Sequence, residues 1–367
     1  MRLWAISGSS PVRTAKSLKV KDFEAFSFFE DTMAIQLQTP VERPARRPHL
    51  DYSHRLMLWG SCFATHIGTR LAEAKFRCDV NPYGVLYNPL SISAALREVV
   101  AGKTYVREDL YMHQGLWHSP MHHGDFSTAV ADETLQRING RLRQAAEELD
   151  TLDFLLLTWG TAWVYEDCRT GLVVGNCHKL PEKSFLRRRL SVNEIVSDTV
   201  SLLSGLLARN PRLQVVLTVS PIRHVRDGLH ANQLSKSTLL LAAEEVEAAF
   251  PDRVFYFPAY ELVLDELRDY RFYADDLVHP SDLAVRYVWE RFTQWCLTPE
   301  AQRMMGEYEE IRKALAHKPI HPESTEYKRF LGQIVLKMER LNGKYPYFDL
   351  QNERESCLTL LNRLQKS

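Results

Sequence analysis

The sequence carries no surplus of either charge: Lys+Arg and Asp+Glu each number 46 in 367 residues. A chain without a basic field has no general pull on nucleic acid, and one without an acidic excess does not read as a disordered segment. Long apolar runs are missing as well. None approaches the ~18 residues of a membrane span, and the N-terminal stretch lacks the continuous apolar core of a secretory leader. Cysteine is sparse. Cys62, Cys78, Cys168, Cys177, Cys296 and Cys357 are scattered without a CxxC pair, which argues against a disulfide framework and against zinc. The group Cys168, Cys177 and His178 comes nearest to a zinc set but lacks its spacing. No metal and no cofactor is expected, and a reducing, cytoplasmic setting is the simplest reading. The remainder, 45% apolar and 25% charged, has the proportions of a soluble globular protein with ample length for a core.

Three stretches differ in character. Residues 1–50 open on small residues, continue through Arg13, Lys16, Lys19 and Lys21, and then carry Pro40, Pro44 and Pro48. They read as a tail or loosely packed arm, in which Met33 is an alternative start. Residues 51–298 alternate short apolar runs with helical patterns. Strands are expected at 56–59, 76–80, 154–157, 215–219 and 254–257. Helices are expected over 63–75, from Asn88-Pro89, over 132–149, from the capping box at Ser191 to about 209, over 235–249 and from 282. Residues 101–131 read as an irregular insertion, 163–178 as a hairpin turning at Thr170-Gly171, and Arg187-Arg188-Arg189 as a solvated face. This alternation predicts an α/β domain with a mostly parallel sheet covered on both sides. Residues 299–367 have no strand signal and predict two or three amphipathic helices, a helical C-terminal extension available to the core or to a second copy of the chain.

The chemistry concentrates after the first strand. Gly60-Ser61-Cys62 forms a small-residue turn from strand to helix. Such a turn places a side chain at a helix N-terminus, where negative charge is favoured, and the thiolate is the nucleophilic form of cysteine. Far downstream, Asp276-Leu277-Val278-His279 sets a carboxylate and an imidazole three residues apart. Nucleophile, base and orienting acid are what acyl transfer needs, together with donors for an oxyanion. In a parallel sheet, ligands bind beyond the C-terminal strand ends. Ser61, Cys62, Gly160, Ser220 and Pro258 all fall there. Asn81 and Gly84, after the second strand, are candidate oxyanion donors, as is the backbone N–H of Cys62. Asn176, Cys177, His178, His224 and Lys236 place further polar groups near element ends. His66, one turn after Cys62, points along the helix flank. His118, His122 and His123 match no ligand spacing.

Gly60-Ser61-Cys62-Phe63-Ala64 is the motif for which the GSCFA-domain family is named. Asn81-Pro82-Tyr83-Gly84, Asn176-Cys177-His178-Lys179, Ser220-Pro221 with His224, Asn232, Ser235-Lys236 and the stretch 276–279 also resemble that family, over about residues 50–297. The family is similar to SGNH/GDSL hydrolases. The resemblance implies a three-layer α/β/α, flavodoxin-like fold and a Ser nucleophile in a Gly-Asp-Ser turn with a late Asp-x-x-His. Two departures stand out. Aligned without a gap, Cys62 takes the nucleophile position and Ser61 replaces the Asp; a one-residue shift makes Ser61 the nucleophile instead. The Gly-x-Asn element resembles Gly160-Thr161-Ala162, with Ala162 where an oxyanion Asn is expected, so Asn81, Asn176 or the Trp163 indole must serve. The expected activity is ester chemistry, hydrolysis or O-acyl transfer, on a small-molecule or glycan acyl ester. The competing reading is a non-catalytic carbohydrate- or ligand-binding module on a degenerate SGNH fold.

Overall fold

The computed structural model describes residues 38–317, 319–346 and 348–366. The basic stretch at 13–21 and Met33 lie outside the described residues. In chain order the elements are β1 (Arg55–Gly60), α1 (Cys62–Glu73), β2 (Arg77–Val80), α2 (Pro89–Val100), β3 (Tyr111–His113), β4 (Leu116–His118), α3 (Ala131–Leu149), β5 (Phe154–Trp159), β6 (Trp163–Asp167) and β7 (Phe185–Arg189). They continue with α4 (Val192–Arg209), β8 (Gln214–Val219), α5 (Leu229–Ala249), β9 (Val254–Tyr256), the short α6 (Ala259–Glu261), α7 (Asp282–Cys296), α8 (Pro299–Ala316), α9 (Thr325–Lys344) and α10 (Gln351–Lys366).

Five strands form a parallel sheet in the order β2-β1-β5-β8-β9. Taken alone these strands run 2-1-3-4-5, the flavodoxin-like order, whose direction of winding reverses between β1 and β5. Gly60 lies opposite Thr158 there, and Trp159 opposite Val219. Successive side chains leave a strand on opposite faces, so each central strand feeds two cores. Leu56, Leu58, Phe154, Leu156 and Val216 pack with Phe63, Ile67 and Leu71 of α1 and with Val288, Phe292 and Trp295 of α7. Met57, Trp59, Leu155, Leu157, Val215 and Leu217 pack against α2, α3, α4 and α5. All six residues of β5 are buried, which is why it reads as an unbroken apolar run rather than an alternation. Burying each such side chain stabilises the fold by about 1.5–3 kcal/mol.

Local chemistry sets the element ends. Ser61 caps α1, its Oγ accepting the Phe63 N–H, and Asn88 caps α2 with Pro89 in the first turn. Ser191 and Glu194 form the expected capping box of α4. α5 begins at Leu229, earlier than residue 235, because no capping side chain marks its start: Gly228, at φ +84°, makes the turn. At Gly60, φ is +144° and a Cβ would lie 2.2 Å from the Thr158 carbonyl oxygen. Only glycine lets β1 pass that close to β5 before the chain turns into α1.

Three expectations need correction. The stretch 163–178 does turn back at Gly171 and bridge Glu166 to Val173 as expected, and β6 pairs further with β7, antiparallel, with Tyr165 opposite Arg187. The arginine run is therefore strand; Arg189 is solvated as expected, but Arg187 and Arg188 are half-buried. Arg187 pairs with Asp227, and Arg188 with Glu166 and Glu194. The insertion 101–131 contains the hairpin β3–β4. Within the stretch expected as an arm, Leu50 is buried and its main chain pairs with Cys296 and Thr298, while Val41 pairs with Glu266 and Arg291. The C-terminal helices turn their apolar stripes inward. Met304, Ile311, Leu331, Ile334, Met338 and Cys357 join the core that holds α1 and α7.

Candidate functional site

The loops after β1, β5 and β8 meet at the reversal point of the sheet and wall a cavity of about 500 Å³. Ser61, Cys62, Asn176, His224 and His279 line it, together with Tyr87, Asn88, Trp163 and three arginines. The sheet thus gathers side chains more than 200 residues apart in sequence.

Ser61 and Cys62 stand differently within it. Ser61 is 1% exposed, and its hydroxyl is the helix cap. Cys62 is the first residue of α1 and is partly exposed. Its Sγ lies 3.9 Å from the Tyr87 hydroxyl. Burial, and then the neighbouring thiol, push the Tyr87 phenol up to about 12, so it remains a donor at neutral pH.

The 276–279 turn forms its own acid–base unit. Asp276 Oδ1 accepts the main-chain N–H groups of Val278 and His279, both at 2.9 Å, and Oδ2 accepts His279 Nδ1–H at 2.6 Å. The backbone donations, before the imidazole, hold the Asp276 carboxyl down to about 2. Leu277 sits between them at φ +57°, a conformation that costs a branched residue energy. With Nδ1 fixed on the carboxylate, Nε2 is the nitrogen left for proton transfer. Among the described residues no hydrogen bond joins the His279 ring to Cys62. His66 is exposed and outside the cavity wall.

His224 and Lys236 lie deeper. A Cβ placed on Gly160 would come within 3.4 Å of His224 Nε2 and 3.5 Å of Ser61 Cβ, so these three residues are neighbours. Burial first, and then the Lys236 charge, lower the His224 ring to about 4 and keep it neutral. Lys236 is 1% exposed, and its Nζ donates to the carbonyls of Gly160 and Ser220, both at 2.6 Å. Burial lowers its ammonium to about 7. It ties the end of β5 to the end of β8 and does not line the cavity. Ser235 assists by accepting the Ala162 N–H at 2.8 Å.

Several expected oxyanion donors are already engaged. The Gly84 N–H donates to Asn81 O at 2.8 Å, and this glycine, at φ +76°, packs against His123 away from the cavity. Asn81 uses both ends of its amide: Oδ1 accepts the Gly60 N–H and Nδ2 donates to Thr65 Oγ1. It fixes the turn from behind. The Gly160 N–H donates to Tyr87 O. His178 bonds Ser119 O through Nε2 and packs on His118; burial lowers it to about 4, and it too lies outside the cavity wall. Asn176 does line the cavity, its Oδ1 accepting the His178 N–H. The donors that remain are the Cys62 N–H, which has no intrahelical acceptor at a helix start, the Tyr87 hydroxyl, the Nδ2 groups of Asn88 and Asn176, and the buried, unpartnered Trp163 Nε1.

Asn88 was legible in the sequence as a helix cap only, and Tyr87, beside it, carried no signal. Arg223, Arg226 and Asp227 follow the clearest strand, whose end could have flagged them. Arg187 was hidden in a charge run. Among the described residues no group of three or more His, Cys, Asp or Glu side chains is arranged to hold a metal ion, and no helix is long and apolar enough to cross a membrane.

Comparison with known proteins adds the following. No curated protein matches the chain. Among solved structures, an acetyl xylan esterase (Est2A) from the rumen bacterium Butyrivibrio proteoclasticus is similar at 10% identity and a TM-score of 0.35, over 66% of this chain. The chain spans 63% of that esterase's length, and a likeness so slight carries no argument about chemistry. The GSCFA family pattern matches residues 55–292, and that of the GSCFA domain protein C-terminal domain matches residues 308–363. With most of its length so matched, the chain belongs to the GSCFA family.

Proposed function

We propose that the cavity performs acyl-ester chemistry through Cys62, His279 and Asp276. The observation that carries this reading is that a helix-initiating thiol and a carboxylate-oriented imidazole wall one cavity at the reversal point of a parallel sheet. In the first step the Cys62 thiol gives its proton to His279 Nε2, directly or through one water molecule, and sulfur bonds to the ester carbonyl carbon. The carbonyl oxygen becomes an oxyanion facing the Cys62 N–H, with the Tyr87 hydroxyl and Asn88 Nδ2 as nearby donors. The C–O bond then breaks, and the leaving alkoxide takes the proton from His279. In the second step water or an acceptor hydroxyl gives a proton to His279 and attacks the thioester carbonyl; the C–S bond breaks, and the departing thiolate takes the proton back from His279. Water yields hydrolysis; a sugar hydroxyl yields O-acyl transfer. A glycan ester suits a cavity walled by Trp163, Tyr165 and Tyr87, and a reducing compartment suits a chain whose six cysteines are all free.

The test is turnover of p-nitrophenyl acetate and intact-mass detection of an acylated protein. Wild type is expected to turn over and to trap an acyl group on the peptide containing residues 61 and 62, with Cys62→Ala at least ~10³-fold slower. An adduct on Ser61 instead reassigns the nucleophile. One observation favours the second reading, a binding module: Ala162 is buried with its N–H on Ser235 and supplies no donor. Absence of both turnover and adduct supports it.

A further inference from the structure

Three guanidinium groups wall the cavity, and two are already matched. Arg187 donates to Asp227 Oδ2 at 2.6 Å and lies 4.4 Å over the Trp163 ring. Arg226 pairs with Glu182 and donates to the Tyr165 hydroxyl at 2.8 Å. Arg223 is held differently. Among the described residues it makes no ion pair with a carboxylate. Its guanidinium lies 4.1 Å over the Tyr273 ring and 5.4 Å from that of Tyr270, with one Nη reaching the Leu277 carbonyl at 3.5 Å. Its main-chain N–H donates to Val278 O at 3.3 Å, so it is anchored to the turn that carries His279.

We infer that the cavity receives an ester bearing an anionic oxygen group, a carboxylate or a phosphate, with Arg223 as the receiving side chain. The inference deepens the acyl-transfer reading by naming the substrate class, and rests on the same cavity. A guanidinium held over aromatic rings makes no ion pair with them, so the N–H groups it does not spend on the Leu277 carbonyl are left to donate, and a guanidinium edge meets carboxylate and phosphate oxygens in pairs. Asp227 is already matched by Arg187, so among the described residues no carboxylate of the wall offsets Arg223. The N-termini of α1 and α2 also face the cavity through Cys62 and Asn88, and both favour negative charge. A neutral ester would leave the Arg223 charge without a counterpart.

The test is calorimetric titration of the full chain with benzoate, phenyl phosphate and neutral benzamide. One of the anions is expected to bind at least tenfold more tightly than benzamide, and the tighter of the two identifies the anionic group. Arg223→Gln is expected to abolish that discrimination and Arg223→Lys to retain part of it, with thermal melts confirming that both variants are folded. Equal binding of all three probes, binding of none, or discrimination that survives Arg223→Gln overturns the inference. The acyl-adduct assay is independent. An adduct without anion discrimination defeats this inference alone, and anion discrimination without an adduct defeats only the acyl-transfer reading.

Discussion

His279 sits on the lip of the cavity with its side chain 45% exposed and its Nδ1 fixed by Asp276, whereas His224 lies deeper, beside Ser61 and near the buried charge of Lys236. The molecule therefore offers two sets of nucleophile and imidazole: Cys62 with His279, and Ser61 with His224. What separates them is the charge around each ring. A carboxylate beside an imidazole stabilises the imidazolium that forms when the ring takes a proton. A buried ammonium opposes it. The same contrast appears in the nucleophiles, since Cys62 is partly exposed while the Ser61 hydroxyl is committed to capping α1. On the proposed reading, proton traffic belongs to the outer pair. The inner residues are tied into the framework, Ser61 as the cap of α1 and His224 through its main-chain N–H to Asn232 Oδ1.

The largest effect should come from breaking the outer pair. His279→Gln removes the proton acceptor and is expected to lower kcat/KM for an ester substrate by roughly 10²–10⁴-fold. His224→Gln, which keeps a polar side chain in a position that is already neutral, is expected to cost less than about tenfold. Steady-state kinetics on both variants decides the assignment: a greater loss at His224 would invert it and bring Ser61 back as the nucleophile.

Acid exposes the same contrast through stability. The His224 ring is lowered to about 4 in the fold against an ordinary value of 6.5. Above pH 6.5 both folded and unfolded chains carry the ring neutral, and it contributes nothing to pH dependence. As pH falls through 6.5 the unfolded chain takes up the proton first. Stability is then lost down to about pH 4 and levels off below, by up to about 3 kcal/mol for this ring. His122, lowered to about 3, and His178, lowered to about 4, add to the slope in the same direction. Asp276 acts in a separate window. Its carboxyl is lowered from 3.8 to about 2, so its contribution is complete above 3.8 and is lost only as pH falls toward 2. Denaturant unfolding of wild type and His224→Gln at pH 7 and pH 5 checks this. The variant should show the shallower decline.

The sequence showed the outer pair more clearly than the inner one, for physical reasons. Five parallel strands followed from apolar runs alternating with helices, because burial on both faces leaves that pattern, while their flavodoxin-like order followed only from the family resemblance. Cys62 and His279 were legible because each sits on a short local motif at a strand end or turn. The donors were less so. Asn81 and Gly84 looked available because a sequence does not show that Gly60 N–H and Asn81 O already engage them. Strand β7 was missed because Phe-Leu-Arg-Arg-Arg has no apolar alternation; Arg187 is satisfied by Asp227, and Arg188 by Glu166 and Glu194. Tyr87 and Arg223 reach the cavity only through tertiary contacts, with Thr161 and Gly160 for one and Val278 for the other.

The smallest expected effect is also the sharpest discriminator between the two nucleophiles. Ser61→Ala removes the side-chain acceptor for the Phe63 N–H, and loss of a helix cap costs about 1 kcal/mol of stability. If the outer pair carries the chemistry, the variant melts at a lower temperature yet still forms an acyl adduct on Cys62. Cys62→Ala should do the reverse, because removing a partly exposed thiol at the edge of the core, whose polar contact is the Tyr87 hydroxyl at 3.9 Å, leaves the cap intact while abolishing the adduct. Melting and adduct formation measured together on the two variants should therefore move in opposite directions. Should both measurements fail in Ser61→Ala while Cys62→Ala retains both, the cap would have been the nucleophile all along.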